Sequence, residues 1–151
     1  SPEEVYQNPQ DIRVAEFIGS PKMNILPGHC DEFGHITCAG LSLGGVLADP
    51  APGPVSVGLR PEHLTLTDAG AAQSLSGKLT YKENLGSDVF FHVTQEGSES
   101  AIIIRAQPLA ATPQKPGDTL HCAPVPGKPL VFGADGRRLD FNHVASSGKL
   151  A

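Results

Sequence analysis

The chain has no tryptophan, only 5% of its residues are aromatic, and its longest apolar run is the short stretch Ala101-Ile102-Ile103-Ile104. A helix that spans a bilayer needs about 20 apolar residues, so any membrane association has to come through a partner rather than by direct insertion. Cysteine is also scarce. Cys30, Cys38 and Cys122 are an odd set, and no stretch shows the order of charged, apolar and small residues that marks a secretory signal peptide. These facts predict reduced thiols, no disulfide and a cytoplasmic setting. Positive charge is in deficit. The net charge is −5, and Arg13, Lys22, Lys78, Arg105, Lys128 and Arg138 are scattered rather than clustered, which argues against nucleic acid or anionic lipid as a partner. A phosphate loop is missing too: Gly77-Lys78, Gly127-Lys128 and Gly148-Lys149 are followed by Leu, Pro and Leu, so none offers a hydroxyl for magnesium. The expectation is a chain without catalytic residues, bound metal or cofactor of its own.

What the chain does have is turn formers. Gly 17 and Pro 14 make up about a fifth of it, which suits short strands joined by many turns, and 151 residues suit one domain with a single core. Asn8-Pro9-Gln10-Asp11 reads as a helix start, with Asn8 as cap, Pro9 in the first position and Asp11 in the first turn. Val14, Phe17 and Ile18 follow helical spacing, and Gly19 with Pro21 supplies the stop, so a helix over about 9–18 should dock its Val14/Phe17/Ile18 stripe on the rest of the fold. From Asn24 onward the apolar period is two. Strands are expected near 24–29, 33–39, 54–60, 64–67, 75–84, 88–95, 100–107, 118–124 and 129–133, forming an all-β sandwich or small barrel. Glu96-Gly97-Ser98 should turn one hairpin, and Asp135-Gly136 should turn the chain after the last strand. The proline-rich 48–54 stretch and the polar 110–117 stretch read as connectors, and residues 141–151 as a polar tail, native or left from cloning.

Several clusters invite chemistry. His29, Cys30, His35 and Cys38 are zinc-type ligands within ten residues, but the paired Cys-x-x-Cys and His-x-x-x-His frames are absent and strand alternation puts His35 and Cys38 on opposite faces. His121 and Cys122 are adjacent, so on a strand they point apart and do not form a nucleophilic pair by themselves. Tyr81, Phe90 and Phe91 beside Lys78 and Lys82 are the residues an oligonucleotide would stack on and pair with, if this were a nucleic-acid-binding barrel. Arg60-Pro61-Glu62 could hold a charge pair across a fixed proline, either at an interface or closing a strand end within the domain, and His63 beside it has no partner motif for catalysis.

A set of motifs in order gives more. Pro2, Tyr6 and Pro9; Phe17-Ile18-Gly19-Ser20-Pro21 with Met23-Asn24; Val57-Gly58-Leu59-Arg60-Pro61-Glu62-His63-Leu64; Glu83-Asn84-Leu85-Gly86; and Phe132 with Asp135-Gly136-Arg137-Arg138-Leu139 run from about Pro2 to Leu139. Together they resemble the C-terminal regulatory domain of the ATP-binding subunits of bacterial carbohydrate ABC importers, the maltose and glycerol-3-phosphate class. Leu41-Ser42-Leu43-Gly44-Gly45 faintly echoes the signature of ABC ATPases, although an apolar-glycine turn accounts for it equally well. The proline-rich 48–54 stretch and weaker matches over 106–116 depart from the family pattern.

The resemblance implies an all-β, OB-like barrel of the TOBE/MOP type with one short N-terminal helix. The regulatory domain would cover 1–140, with the barrel at about 24–133 and the nucleotide-binding domain absent. It implies a regulatory and dimerisation role in sugar or glycerol-3-phosphate uptake, with Arg60, Pro61, Glu62, His63, Glu83, Gly86 and Phe132 as motif residues and interface candidates. ATP and magnesium would belong to the parent protein. Partners would be a second copy, permease subunits reached through the ATPase domain, and a regulatory protein, which places the assembly on the cytoplasmic face of the inner membrane. The alternative carried by the fold is a small-oxyanion, molybdate-like binding module, ahead of the nucleic-acid reading.

Overall fold

The computed structural model describes residues 9–17, 22–98, 101–107 and 113–143. Packing gathers them into two compact units. The first holds the described residues up to Leu59 together with those from Pro126 onward, and the second runs from Arg60 to Val125.

In the first unit, strands β1 (Asn24–Cys30), β2 (His35–Cys38), β3 (Leu41–Leu47), β4 (Gly53–Leu59), β10 (Leu130–Phe132), β11 (Arg138–Leu139) and β12 (Phe141–His143) form one sheet. Its order is β11-β10-β4-β1-β2-β3-β12, and every pairing is antiparallel. Alternation selects the buried face. Leu41, Leu43 and Leu47 of β3 point inward, as do Ile36 and Cys38 of β2 and Val55, Val57 and Leu59 of β4. Helix α1 (Ile12–Phe17) covers one end of this core, where Ala15, Met23 and Phe132 pack with Ile12, Ile25 and Leu130.

The second unit contains β5 (Leu64–Thr67), β6 (Leu75–Asn84), β7 (Val89–Thr94), β8 (Ala101–Ala106) and β9 (Thr119–Pro124), in the order β5-β9-β6-β7-β8. Its core is Leu75, Leu79, Val89, Phe91, Ile104 and their neighbours, all nearly or fully inaccessible. The sheet curls until Cα atoms of its terminal strands β5 and β8 approach within 8 Å, which almost closes a five-stranded barrel. Right-handed twist accumulated over five strands produces this curl. The Gln95–Ser98 turn joins β7 to β8 as expected, with the Ser98 amide donating to the Gln95 carbonyl at 3.1 Å.

Three expectations change. First, the helix begins later than Pro9. Asp11 does the capping, its Oδ1 accepting the Arg13 amide at 2.8 Å, because Asp11 also bridges Arg137 and so keeps extended backbone; Asn8 and Ile18 lie outside the described residues. The helix buries Ile12 and Ala15 rather than the Val14/Phe17 stripe, and Phe17 is 79% exposed. Second, Leu41–Leu47 is a strand where a turn was expected at Leu41–Gly45. A Cβ on Gly45 would lie 2.5 Å from the Asn142 carbonyl and 2.9 Å from His143 Cα, so the glycine is there to let β12 approach. Third, the chain does not end its folded part at 133. The Asp135-Gly136 turn leads into β11, and Phe141–His143, assigned above to a tail, pairs with β3 as Phe141↔Leu47, Asn142↔Val46 and His143↔Gly45.

Candidate functional site

The Val57–Leu64 motif spans the point where the chain leaves the first unit after Leu59 and enters the second at Arg60. Gly58 is required on β4 because a Cβ there would collide with Met23 Sδ and lie 3.2 Å from the Phe132 ring. Arg60 then keeps extended backbone (φ −72, ψ 143), Pro61 takes the first position of a 3-10 turn over Pro61–His63, and the His63 amide donates to the Arg60 carbonyl at 2.9 Å. The Val125 amide donates to the His63 carbonyl at 2.8 Å, which ties this turn to the end of β9. Arg60 is 5% exposed and Pro61 is fully buried, while Glu62 and His63 are half-buried. Within the Arg-Pro-Glu-His turn, Glu62 and His63 are therefore the accessible residues.

The other motif residues go to separate places. Phe132 is wholly inaccessible, stacked into the Met23/Ala15 cluster, so it contributes packing and cannot itself meet a partner. Glu83 lies on β6, its Oε1 at 3.4 Å from His92 Nε2, with the Tyr81 ring 5.1 Å from the same imidazole. Gly86 turns the β6–β7 hairpin with φ 88, a left-handed conformation that favours glycine, and its amide donates to Asn84 Oδ1 at 3.0 Å. Leu85 beside it is 56% exposed at the hairpin tip.

The clusters singled out by composition do not converge. On β1 and β2, His29 and His35 face outward while Cys30 and Cys38 are buried, and His35 Nδ1 instead sits 3.3 Å from Asp31 Oδ2. The His35 and Phe33 amides hold the Asp31 carboxyl below the usual carboxylate range, the His35 contribution being the larger. Burial pushes the Cys38 thiol up to about 11 and the Cys122 thiol up to about 12, so both stay protonated near neutrality and are poor nucleophiles. His121 and Cys122 point to opposite faces of β9, Cys122 into the core. Of the aromatics considered as a base-stacking platform, Phe91 is inaccessible and Phe90 is 7% exposed. Both are core, which leaves only Tyr81 on the surface and removes the platform.

Residues that the sequence gave no reason to group do meet. Glu62, Leu64, Thr65 and Leu66 come together with Asp88, Arg105, Ala106 and Gln107 around a cleft of about 390 Å³ at the seam between β5 and β8. Arg105 Nη2 donates to Asp88 Oδ2 at 3.1 Å. The outermost of these positions, Glu62 and Gln107, lie 45 residues apart in the chain, and only the curl of the sheet gathers them.

Two family descriptions match the chain: "TOBE domain" over residues 57–132, and "MalK OB fold domain" over residues 19–64. The chain belongs to the TOBE-domain family. The all-β, OB-like architecture with one short helix is the one the motifs implied. This TOBE domain is 38% identical over 144 residues to the sn-glycerol-3-phosphate import ATP-binding protein UgpC of Paracoccus denitrificans, which covers 93% of the chain and 38% of that protein. It is 34% identical over 145 residues to the maltose/maltodextrin import ATP-binding protein MalK of Vibrio cholerae, covering 90% of the chain and 38% of the relative. Against the trehalose import ATP-binding protein SugC of Mycobacterium tuberculosis the identity is 38% over 108 residues, covering 64% and 28%. The chain thus spans less than half the length of these relatives. Among solved structures, the cytoplasmic molybdate-binding protein ModG superposes with a TM-score of 0.59 at 15% identity, covering 72% of this chain and 94% of that one, a likeness in fold.

Proposed function

We propose that the folded chain, up to and including β12, acts as one regulatory and self-association domain within the ATP-binding subunit of a bacterial importer for a sugar or for glycerol 3-phosphate. The observation that carries this reading is the alignment of nearly the whole chain with import ATP-binding proteins, supported by the TOBE match across the second unit. In that role the domain does no chemistry of its own. ATP and magnesium belong to the parent protein's nucleotide-binding domain, and the permease subunits, reached through that nucleotide-binding domain rather than through this chain, hold the assembly at the cytoplasmic face of the membrane. Among the described residues no helix is long and apolar enough to cross a membrane.

Burial narrows the contact surface. Arg60, Pro61 and Phe132 are internal, so the motif residues left for a second copy or a regulatory protein are Glu62, His63, Glu83 and Gly86, with exposed Leu85 at the hairpin tip as the apolar centre. Sedimentation over a range of protein concentrations tests the reading. A reversible dimer that dissociates on dilution, weakens in Leu85→Asp and ignores Mg-ATP, molybdate and sulfate is the expected result. Stabilisation by molybdate at unchanged mass would replace it with the oxyanion-binding alternative, and micromolar Mg-ATP binding would overturn the assignment of nucleotide chemistry to another domain.

A further inference from the structure

Three stretches of the first unit meet beside one exposed aromatic ring. Phe33, at the tip of the β1–β2 turn, is 67% exposed. Its backbone is fixed: Asp31 Oδ1 accepts the Phe33 amide at 2.8 Å and the His35 amide at 2.9 Å, and the Gly34 amide donates to the Asp31 carbonyl at 3.1 Å. The Leu47 amide donates to the Gly34 carbonyl at 2.8 Å, and a Cβ on Gly34 would lie 3.4 Å from Pro50 Cγ, so the proline-rich 48–54 stretch starts against this turn. The Ala48 amide donates to the Asp140 carbonyl at 2.8 Å, which brings in the residue before β12. Ala48, Pro50, Ala51 and Pro52 are all exposed and add apolar surface near the ring. Burying a phenylalanine contributes roughly 1.5–3 kcal/mol, a gain that this ring leaves for a partner.

Charge selects the partner. Glu32, Asp49 and Asp140 are exposed, Asp31 is half-buried, and residues 31–35, 47–52 and 140–143 carry no Lys or Arg. His35 sits 3.3 Å from Asp31 Oδ2, and Arg138, which donates to the Pro9 carbonyl at 3.3 Å, offsets part of the Asp140 charge. Glu32 and Asp49 keep the surface beside Phe33 acidic. Phosphate backbones and anionic lipid are disfavoured there, and so is a second copy of a chain with net charge −5. A guanidinium or ammonium group gains twice, over the negative face of the ring and against the carboxylates at its rim. Pro50 and Pro52 fix the backbone angle φ and the turn is already ordered, so docking gives up little conformational freedom. We propose that the Phe33 turn and the adjoining 48–52 stretch form a docking surface for a basic, arginine- or lysine-bearing segment of another protein. The inference rests on the first unit alone and stands apart from the self-association surface around Leu85.

Amide NMR of the labelled chain tests it, with the peptide acetyl-Arg-Leu-Arg-Leu-amide, its glutamate counterpart, and vesicles of anionic phospholipid as probes. Saturable shifts at Asp31–His35 and Leu47–Asp49 are expected from the arginine peptide, with none from the other two. Phe33→Ala should weaken that binding about twofold to thirtyfold, the range of one cation–π contact. Glu32→Gln, Asp49→Asn protein should bind more weakly and lose most of the salt dependence. Should Phe33→Ala disturb the dispersed spectrum of the folded chain, Phe33→Leu, which keeps the apolar contact and removes the aromatic face, carries the test. No saturable response to the arginine peptide overturns the proposal, as does one that maps outside these residues or is undiminished in the variants. An equal response to the glutamate peptide or to the vesicles overturns the partner's chemistry. Shifts of the same amides on raising the protein concentration alone would assign the surface to a second copy instead.

Discussion

Asn24 Nδ2 donates a 2.9 Å hydrogen bond to the carbonyl oxygen of Leu59, joining the first residue of β1 to the last residue of β4 at the step before Arg60. Both residues are buried, Asn24 at 7% and Leu59 at 2% exposure. The asparagine amide thus meets a carbonyl at the buried end of β4, where an acceptor needs a protein partner.

Asn24→Ala should therefore lower stability by about 1–3 kcal/mol, the cost of leaving a buried acceptor unmet. Denaturant unfolding followed by circular dichroism reads this directly, which suits a chain without tryptophan. A change within error of zero would show that water reaches the Leu59 carbonyl.

Gly58→Ala introduces a methyl group into the space held by Met23 Sδ and the Phe132 ring. Overpacking of this kind costs about 1–3 kcal/mol. Because Met23 is flexible and Phe132 is fixed in the core, Met23→Ala in the Gly58→Ala background should destabilise less than Met23→Ala alone does in the parent chain, a coupling that a double-mutant cycle measures. Additive effects would place the strain elsewhere.

Phe132→Ala should cost about 3–5 kcal/mol, since the ring is wholly inaccessible and its loss opens a cavity against Ala15 and Met23. Glu62→Gln, on the half-exposed corner, should change stability by less than about 1 kcal/mol. Equal effects of the two substitutions would contradict the division of the motif residues into packing and surface groups.

Thiol chemistry gives the pH dependence. Burial raises the Cys38 and Cys122 thiols above the ordinary 9.0, to about 11 and about 12, so the folded state retains protons that the unfolded state releases. Their contribution to stability is fully present below pH 9 and is lost as pH rises through the folded values. Unfolding midpoints should fall between pH 9 and 11, and less steeply in Cys38→Ala, Cys122→Ala protein. At pH 8 an aromatic disulfide reagent should label the native protein slowly and all three cysteines rapidly in denaturant.

The sequence by itself determined the elements whose local pattern was unopposed. Period-two alternation placed β1, β4, β5, β6, β7, β8, β9 and β10 within a residue or two, because each has one buried face and the side-chain period of a strand is fixed. The motif order from Phe17 to Leu139 likewise determined the family, since several matches in sequence rarely arise together. Local pattern failed where a residue's reason lies on another strand. Gly44 and Gly45 look like a turn until β12 is seen to pass over Gly45, and β12 is too short and polar to be read without β3 beside it. The buried helix face departs from the apolar stripe because a six-residue helix buries the face its neighbours offer, here Met23 and Phe132, rather than its greasiest one. Tertiary structure alone decided the candidate cleft. Glu62, Asp88, Arg105 and Gln107 carry no shared motif, and they become neighbours only because twist along five strands brings the two ends of the sheet together.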